Sequence, residues 1–132
     1  MEIEFAFRRE ESKIFGEILR PVARIILING EKEIAEHLYV DSGADVTLIP
    51  KSVGDWLGFE IDNDPILEIK GVGERGLPII VKKVKMKIGE KIVDSKVAWA
   101  LIEEVPLLLG REDVFNLFKI TFDKNQKIVF SD

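Results

Sequence analysis

Cysteine is absent from the 132-residue chain, and histidine occurs once, at His37. Without cysteine, the chain can form no disulfide scaffold, no thiolate zinc site and no cysteine nucleophile. A single histidine also excludes a histidine-rich metal site within one chain. We therefore predict a protein that uses no metal and no cofactor.

Long apolar runs and an excess of basic charge are lacking as well. The longest apolar run, Val97 to Ile102, is far shorter than the roughly 20 residues that span a bilayer. The chain starts Met1-Glu2-Ile3-Glu4, without the basic region and apolar core of a signal peptide. A net charge of −5 disfavours binding to nucleic-acid phosphates. We expect a cytoplasmic protein whose partners are neither membranes nor nucleic acids.

The apolar residues that are present follow the pattern of a β protein. Glu2–Phe7 alternates apolar and charged side chains, as a half-buried strand does, and Asn29-Gly30 is a strong hairpin signal. Further strands are predicted at Arg24–Ile28, Ile34–Val40, Ile66–Ile69, Ile79–Val84, Met86–Ile88, Ile92–Ala100, Phe118–Phe122 and Lys127–Phe130.

Only two short segments favour helices, at about residues 50–57 and 112–118. Pro50 suits a first helical position and Gly58 the residue just past the end. The second segment opens with acidic residues, which the helix dipole favours there. We predict a single all-β domain over residues 1–132, mostly antiparallel, with residues 1–20 as a candidate N-terminal arm.

The segment from Leu38 to Pro50 carries the chemistry. An apolar strand runs into Asp41, small residues follow, and a second apolar strand begins. A carboxylate at the end of a buried strand is held rigidly, as general acid–base chemistry requires. Taken locally, the alternative is an Asx-type turn in which Asp41 and Ser42 bond only nearby backbone.

Three segments resemble, in order and spacing, the retroviral-type (retropepsin-like) aspartic proteases. Val40-Asp41-Ser42-Gly43-Ala44-Asp45 resembles the active-site loop of that family, which reads apolar–Asp–Thr/Ser–Gly–Ala. Pro106-Leu107-Leu108-Leu109-Gly110-Arg111 resembles its late Gly-Arg strand, and Glu68–Gly76 lies between them and resembles its flap hairpin. The resemblance covers about residues 22–120 and implies a closed β-barrel of the retropepsin type.

The number of acid motifs then implies the assembly. Aspartic proteolysis uses two carboxylates that share one proton: one activates water and the other polarises the scissile carbonyl. The chain has one Asp-Ser-Gly and is too short for a two-lobed form. The resemblance therefore implies a homodimeric endopeptidase, with one Asp41 from each subunit at the two-fold axis.

The resemblance also implies roles for the residues around Asp41, the catalytic acid. The active-site loop continues through Ser42, Gly43 and Ala44. Substrate, a peptide or protein segment in extended form, is implied to contact Asp45 and the flap residues Gly71, Val72 and Gly73.

Asp45 is further implied to form a structural ion pair with Arg111. Because Arg111 follows the apolar run that Gly110 ends, we expect the pair to be buried and bidentate. The dimer interface stays open, and the N-terminal arm, the C-terminal strand Ile128–Phe130, or both are candidates for it.

Other chemical readings fail on spacing. Residues 71–76 match Gly-x-Gly-x-x-Gly, but a dinucleotide site needs a helix there and a strand pattern follows. Asp62-Asn63-Asp64 lacks the glycine and glutamate of a calcium loop. The remaining alternative to the enzyme is a silent module of the same fold that binds peptides or dimerises without cutting.

Overall fold

A computed structural model describes residues 1–70 and 76–132. Across these two ranges it contains twelve strands and one α-helix. The strands are β1 (Glu2–Ala6), β2 (Arg8–Ser12), β3 (Gly16–Arg20), β4 (Val22–Asn29), β5 (Lys32–Val40), β6 (Thr47–Ile49), β7 (Leu67–Ile69), β8 (Leu77–Ile88), β9 (Lys91–Ala100), β10 (Leu108–Leu109), β11 (Lys119–Asp123) and β12 (Lys127–Ser131). The helix is α1 (Lys51–Trp56).

Six strands close into a barrel in the order β4-β5-β10-β6-β9-β8, with β8 pairing back onto β4. Most pairs are antiparallel, but β10 runs parallel to β5, and β6 runs parallel to β9. Strand β7 extends the barrel beyond β8. The predicted all-β class and closed barrel are confirmed.

Two smaller sheets complete the structure. Strand β12 lies between β1 and β11 in a three-stranded sheet, so the two ends of the chain pair with each other. Strands β2 and β3 form a hairpin of their own. The Asn29-Gly30 turn joins β4 to β5 as predicted, with Gly30 at a φ of 63° that suits glycine.

The core fills the barrel and is closed at one side by α1. Trp99 of β9 is buried, and its indole N–H donates to the Lys51 carbonyl at 3.1 Å. Gly54 faces that indole so closely that a Cβ at this position would overlap it. Only glycine therefore lets the helix pack directly on the ring.

Helix α1 confirms the first predicted helix, and both of its ends have a physical cause. Pro50 stands at the N-cap, but it provides no side-chain cap. Instead, Glu103 from the loop after β9 accepts the Ser52 N–H at 2.8 Å and the Ser52 hydroxyl at 2.6 Å. These hydrogen bonds, from the hydroxyl first, lower the pKa of Glu103. Gly58, at a φ of 79°, ends the helical turn.

The second predicted helix, over residues 112–118, is replaced by a run of turns. Asp113 has a φ of 67°, a left-handed conformation that interrupts an α-helix. Its carboxylate accepts the backbone N–H of Lys96 on β9 at 2.9 Å. A long-range contact thus overrides the local helical pattern, while Val114 and Phe118 still bury their side chains in the core.

In residues 1–70 and 76–132, no helix is long and apolar enough to cross a membrane. The expectation of one domain over the whole chain remains a prediction.

Candidate active site

Asp41 lies directly after β5, where the barrel holds its backbone on both sides. Its N–H donates to the Leu109 carbonyl at 3.0 Å, which continues the parallel β5–β10 ladder by one residue. The preceding residue, Val40, is buried and donates its N–H to the Pro21 carbonyl at 2.9 Å. The position of the Asp41 side chain is therefore fixed by the barrel and not by a free loop.

The Asp41 carboxylate is half-buried and accepts the Gly43 N–H at 2.9 Å through Oδ1. The Asx turn considered from the sequence is thus formed, and it holds the carboxylate in one orientation. A Cβ at Gly43 would lie 3.2 Å from Oδ1, so a side chain there would crowd the acid. The turn and the catalytic interpretation are compatible, because the same hydrogen bond serves both.

The late Gly-Arg segment packs against this loop, as the spacing of the two motifs implies. The N–H of Arg111 donates to the Ala44 carbonyl at 3.0 Å, and the N–H of Glu112 donates to the Asp45 carbonyl at 2.9 Å. Gly110 touches the backbone of Val46 so closely that any Cβ would overlap it. Glycine at this position allows the two chain segments to cross in contact.

Thr47 is a residue of the site that the sequence did not single out. It is fully buried, and its hydroxyl accepts the Gly110 N–H at 3.1 Å. The hydrogen bond satisfies both polar groups at the crossing, which a buried valine could not do. No pattern in the sequence marks Thr47, since it follows the motif as one more β-branched residue of a strand.

Arg111 and Asp45 are in contact, but the expected burial is wrong for the single chain. One guanidinium nitrogen donates to Asp45 Oδ1, and the other donates to the Ser42 carbonyl at 3.3 Å. The Arg111 guanidinium therefore contacts two loop residues, Ser42 and Asp45, instead of binding the Asp45 carboxylate with both nitrogens. Both side chains are exposed, 90% for Asp45 and 52% for Arg111, because the turn after Gly110 leads outward. An exposed pair of this kind contributes about 0–1 kcal/mol in one chain, well below a buried pair.

The remaining predicted residues are divided between the loop and the flap. Ser42 and Gly43 are exposed, and Ala44 is half-buried beside Asp41. Gly71, Val72 and Gly73 lie outside the described residues. The strands before and after this gap are described, and they are antiparallel: Leu67 of β7 pairs with Ile79 of β8, and Ile69 with Leu77.

Apolar side chains of β7 and β8 pack in one cluster with Val46, which follows the Asp41 loop. A second buried cluster outside the main core has four members: Leu48, Ile79, Ala98 and Ala100. Partly buried apolar side chains from β7, β8, β10, the segment before β10 and the residue before β6 pack against it: Val46, Ile69, Leu77, Val105 and Leu108. This arrangement would offer an apolar environment to a segment lying across the loop.

A surface pocket of about 590 Å³ lies elsewhere, between the end of β4, strands β8 and β9, and Asp113. Residues 41–45 do not line it. The acid loop is instead open on its outer side, with Ser42, Gly43 and Asp45 exposed.

Two solved structures are similar to this arrangement along most of the chain. A retropepsin-like aspartic protease from Rickettsia conorii matches with a TM-score of 0.67 and 18% identity, covering 98% of each chain. EIAV protease, solved in complex with the inhibitor HBY-793, matches with a TM-score of 0.59 and 19% identity, covering 74% of this chain and 88% of that one. The chain has the retropepsin-like fold. No family model and no curated protein matches it.

In this fold, the first and third of the sequence motifs lie around Asp41. Strand β5 delivers Asp41, β10 fixes its backbone, and Arg111 braces the loop that follows. Strand β8 begins at Leu77, directly after Gly76, so the Gly-x-Gly-x-x-Gly segment leads into a strand and not into the helix of a dinucleotide site.

Proposed function

We propose that the protein is a homodimeric aspartic endopeptidase. The observation that carries the proposal is the half-buried Asp41 carboxylate, held by the Gly43 N–H and presented at the open side of a retropepsin-like barrel. The loop around it is braced by Gly110, Arg111 and Thr47. A module that only bound peptides would have no chemical need for a carboxylate aimed in this way.

A second Asp41, from a two-fold related chain, completes the chemistry. Two carboxylates in contact cannot both be ionised, so the pair holds one proton. The ionised carboxylate takes a proton from water, whose oxygen attacks the scissile carbonyl carbon while the protonated partner donates to the carbonyl oxygen. As the tetrahedral intermediate collapses, the C–N bond breaks and the carboxyl that took the water proton gives it to the leaving nitrogen. The other carboxylate takes back the proton that it had donated to the carbonyl oxygen, so the pair again holds one proton.

The substrate class follows from the surface beside the acid. An extended peptide lying between the loop and the β7–β8 hairpin would pair its backbone as an added strand. The partly buried Leu77 and Leu108 at the edge of the apolar cluster favour hydrophobic side chains next to the scissile bond. We therefore propose extended segments with apolar residues at the cut as the preferred substrates.

Cleavage of a mixed peptide library across acid and alkaline pH tests the proposal. We expect a bell-shaped rate profile with its maximum on the acid side of neutrality, because the pair works only with one shared proton. Asp41→Asn is the control. A rate that keeps rising into alkaline pH would contradict the mechanism, and the absence of any cleavage would identify the silent binding module instead.

A further inference from the structure

The C-terminal strand β12, one candidate for the dimer interface, is fully used within its own chain. It pairs with β1 on one edge and with β11 on the other. Ile128, Val129 and Phe130 are all buried. Because both edges and the apolar face of β12 are occupied, this strand has no free edge to offer a second subunit.

The hairpin of β2 and β3, residues 8–20, is not covered by the rest of its chain in this way. We use the name arm for these residues alone, because residues 2–6 of the predicted arm form β1 and pair with β12. It is a two-stranded sheet that joins neither of the other sheets. At its tip, Ile14 is 82% exposed and Phe15 is 77% exposed. The Ser12 hydroxyl accepts the N–H groups of both tip residues at 3.2 Å, so the turn is ordered and presents both side chains outward. An isolated hairpin with an apolar tip gains stability when a partner covers it.

The base of the arm is attached beside the catalytic acid. The Tyr39 hydroxyl donates to Glu10 at 2.9 Å, and Arg8 donates to the same carboxylate at 2.7 Å. The guanidinium groups of Arg8 and Arg20 lie 5.4 and 5.7 Å from the centre of the Tyr39 ring. Desolvation raises the pKa of Glu10, but the hydrogen bonds from Arg8 and Tyr39 outweigh it, and that pKa is lowered.

Tyr39 places this attachment close to the axis of the proposed dimer. Side chains alternate along a strand, so Tyr39 and Asp41 occupy the same face, about 7 Å apart. The Asp41 carboxyl must meet its counterpart at the axis for the site to be complete. An arm attached at Tyr39, with five-residue strands that reach about 17 Å, therefore begins next to the other subunit.

We infer that the arm docks its tip, Ile14 and Phe15, onto a second copy of this chain. The inference rests on the proposed function, because the shared site supplies the axis. Aromatic residues such as Phe are enriched at protein interfaces, and burying a Phe and an Ile side chain there removes a large apolar area from water. By two-fold symmetry each dimer contains two such contacts, one on either side of the single shared site.

The test is the dimer dissociation constant of the double variant Ile14→Ser/Phe15→Ser, measured by sedimentation velocity. We expect a rise of about a hundredfold or more, since four apolar anchors are lost per dimer. Ile92→Ser is the matched control, because Ile92 is also an exposed aliphatic residue on a strand, 55% exposed. It should leave the dissociation constant unchanged.

A variant of Phe122, which is 49% exposed on β11, tests the alternative that the dimer interface lies on that strand. If Phe122→Ser weakens the dimer and the tip variant equals the Ile92→Ser control, the interface lies on β11 and the inference is wrong. Cleavage that depends on Asp41 would still stand in that case. Cleavage that survives Asp41→Asn would overturn the proposed function whatever the tip variant does.

Cross-linking provides a second readout that does not depend on affinity. Because the chain has no cysteine, Phe15→Cys carries the only site for a benzophenone maleimide. After illumination we expect a covalent dimer whose cross-link joins the arm to isotope-labelled partner chains. The same label on Ile92→Cys should give monomer. Cross-links from position 15 found only within one chain would overturn the inference.

Discussion

Replacing Asp41 by Asn should reduce peptide cleavage by about 10⁴-fold or more, while the fold and the dimer persist. The amide cannot take a proton from water or share one with its counterpart, so the acid–base step is lost. The local structure survives because an amide oxygen can still accept the Gly43 N–H that Asp41 accepts at 2.9 Å. The measurement is kcat/KM on a defined peptide, beside circular dichroism and sedimentation of the same sample.

Asp123→Asn is the matched control for this substitution. Asp123 forms the same kind of turn, in which its Oδ1 accepts the Asn125 N–H at 2.8 Å, but it lies in the β11–β12 hairpin. It should leave kcat/KM unchanged. Equal losses in the two variants would mean that the loss is a general effect of replacing an Asp by Asn in a turn, and not the loss of acid–base chemistry at Asp41.

Gly110→Ala should have the second largest effect, about 3 kcal/mol or more of lost stability. A Cβ there overlaps the Val46 backbone, which cannot rotate away as a flexible side chain can. Relief requires the β10 and β6 backbones to separate, which also strains the Gly110 N–H bond to Thr47. Since this crossing fixes the loop after Asp41, activity per folded molecule should fall as well. Urea unfolding and active-site titration measure the two effects separately.

Gly54→Ala is the comparison that isolates the role of the loop. Its Cβ overlaps the Trp99 indole in the core, so stability should fall, but the contact is remote from the loop braced by Gly110. We expect the folded fraction of this variant to keep its activity. A Gly110→Ala protein as stable and active as the original chain would show that the crossing is looser than described.

Local patterns were sufficient to predict much of this structure. Most of the strands outside the β2–β3 hairpin follow from alternation and β-branched runs, the β4–β5 turn from Asn29-Gly30, and α1 from Pro50 and Gly58. These signals succeed because each acts within a few residues. The approach of the Asp41 loop to the Gly110 segment came from the resemblance of the two motifs, since no local rule joins residues so far apart.

Most of the features that the sequence did not predict depend on distant partners; the β2–β3 hairpin, within the candidate N-terminal arm, is a local pairing that was not predicted. Residues 112–118 have a helical pattern, but Asp113 turns to accept the Lys96 N–H from β9. The exposure of Arg111 depends on the direction of the turn after Gly110. The hydrogen bond between Tyr39 and Glu10 joins residues 29 positions apart, and no pattern within either segment predicts it.

Mixing of subunits tests most directly whether two chains share one site. Wild-type and Asp41→Asn chains are mixed in varying ratio at constant total concentration, above the dissociation constant, and allowed to exchange. If each site needs Asp41 from both subunits, activity follows the square of the wild-type fraction and falls to about one quarter in an equal mixture. Activity proportional to the wild-type fraction, about one half in that mixture, would contradict the account, because each chain would then act alone.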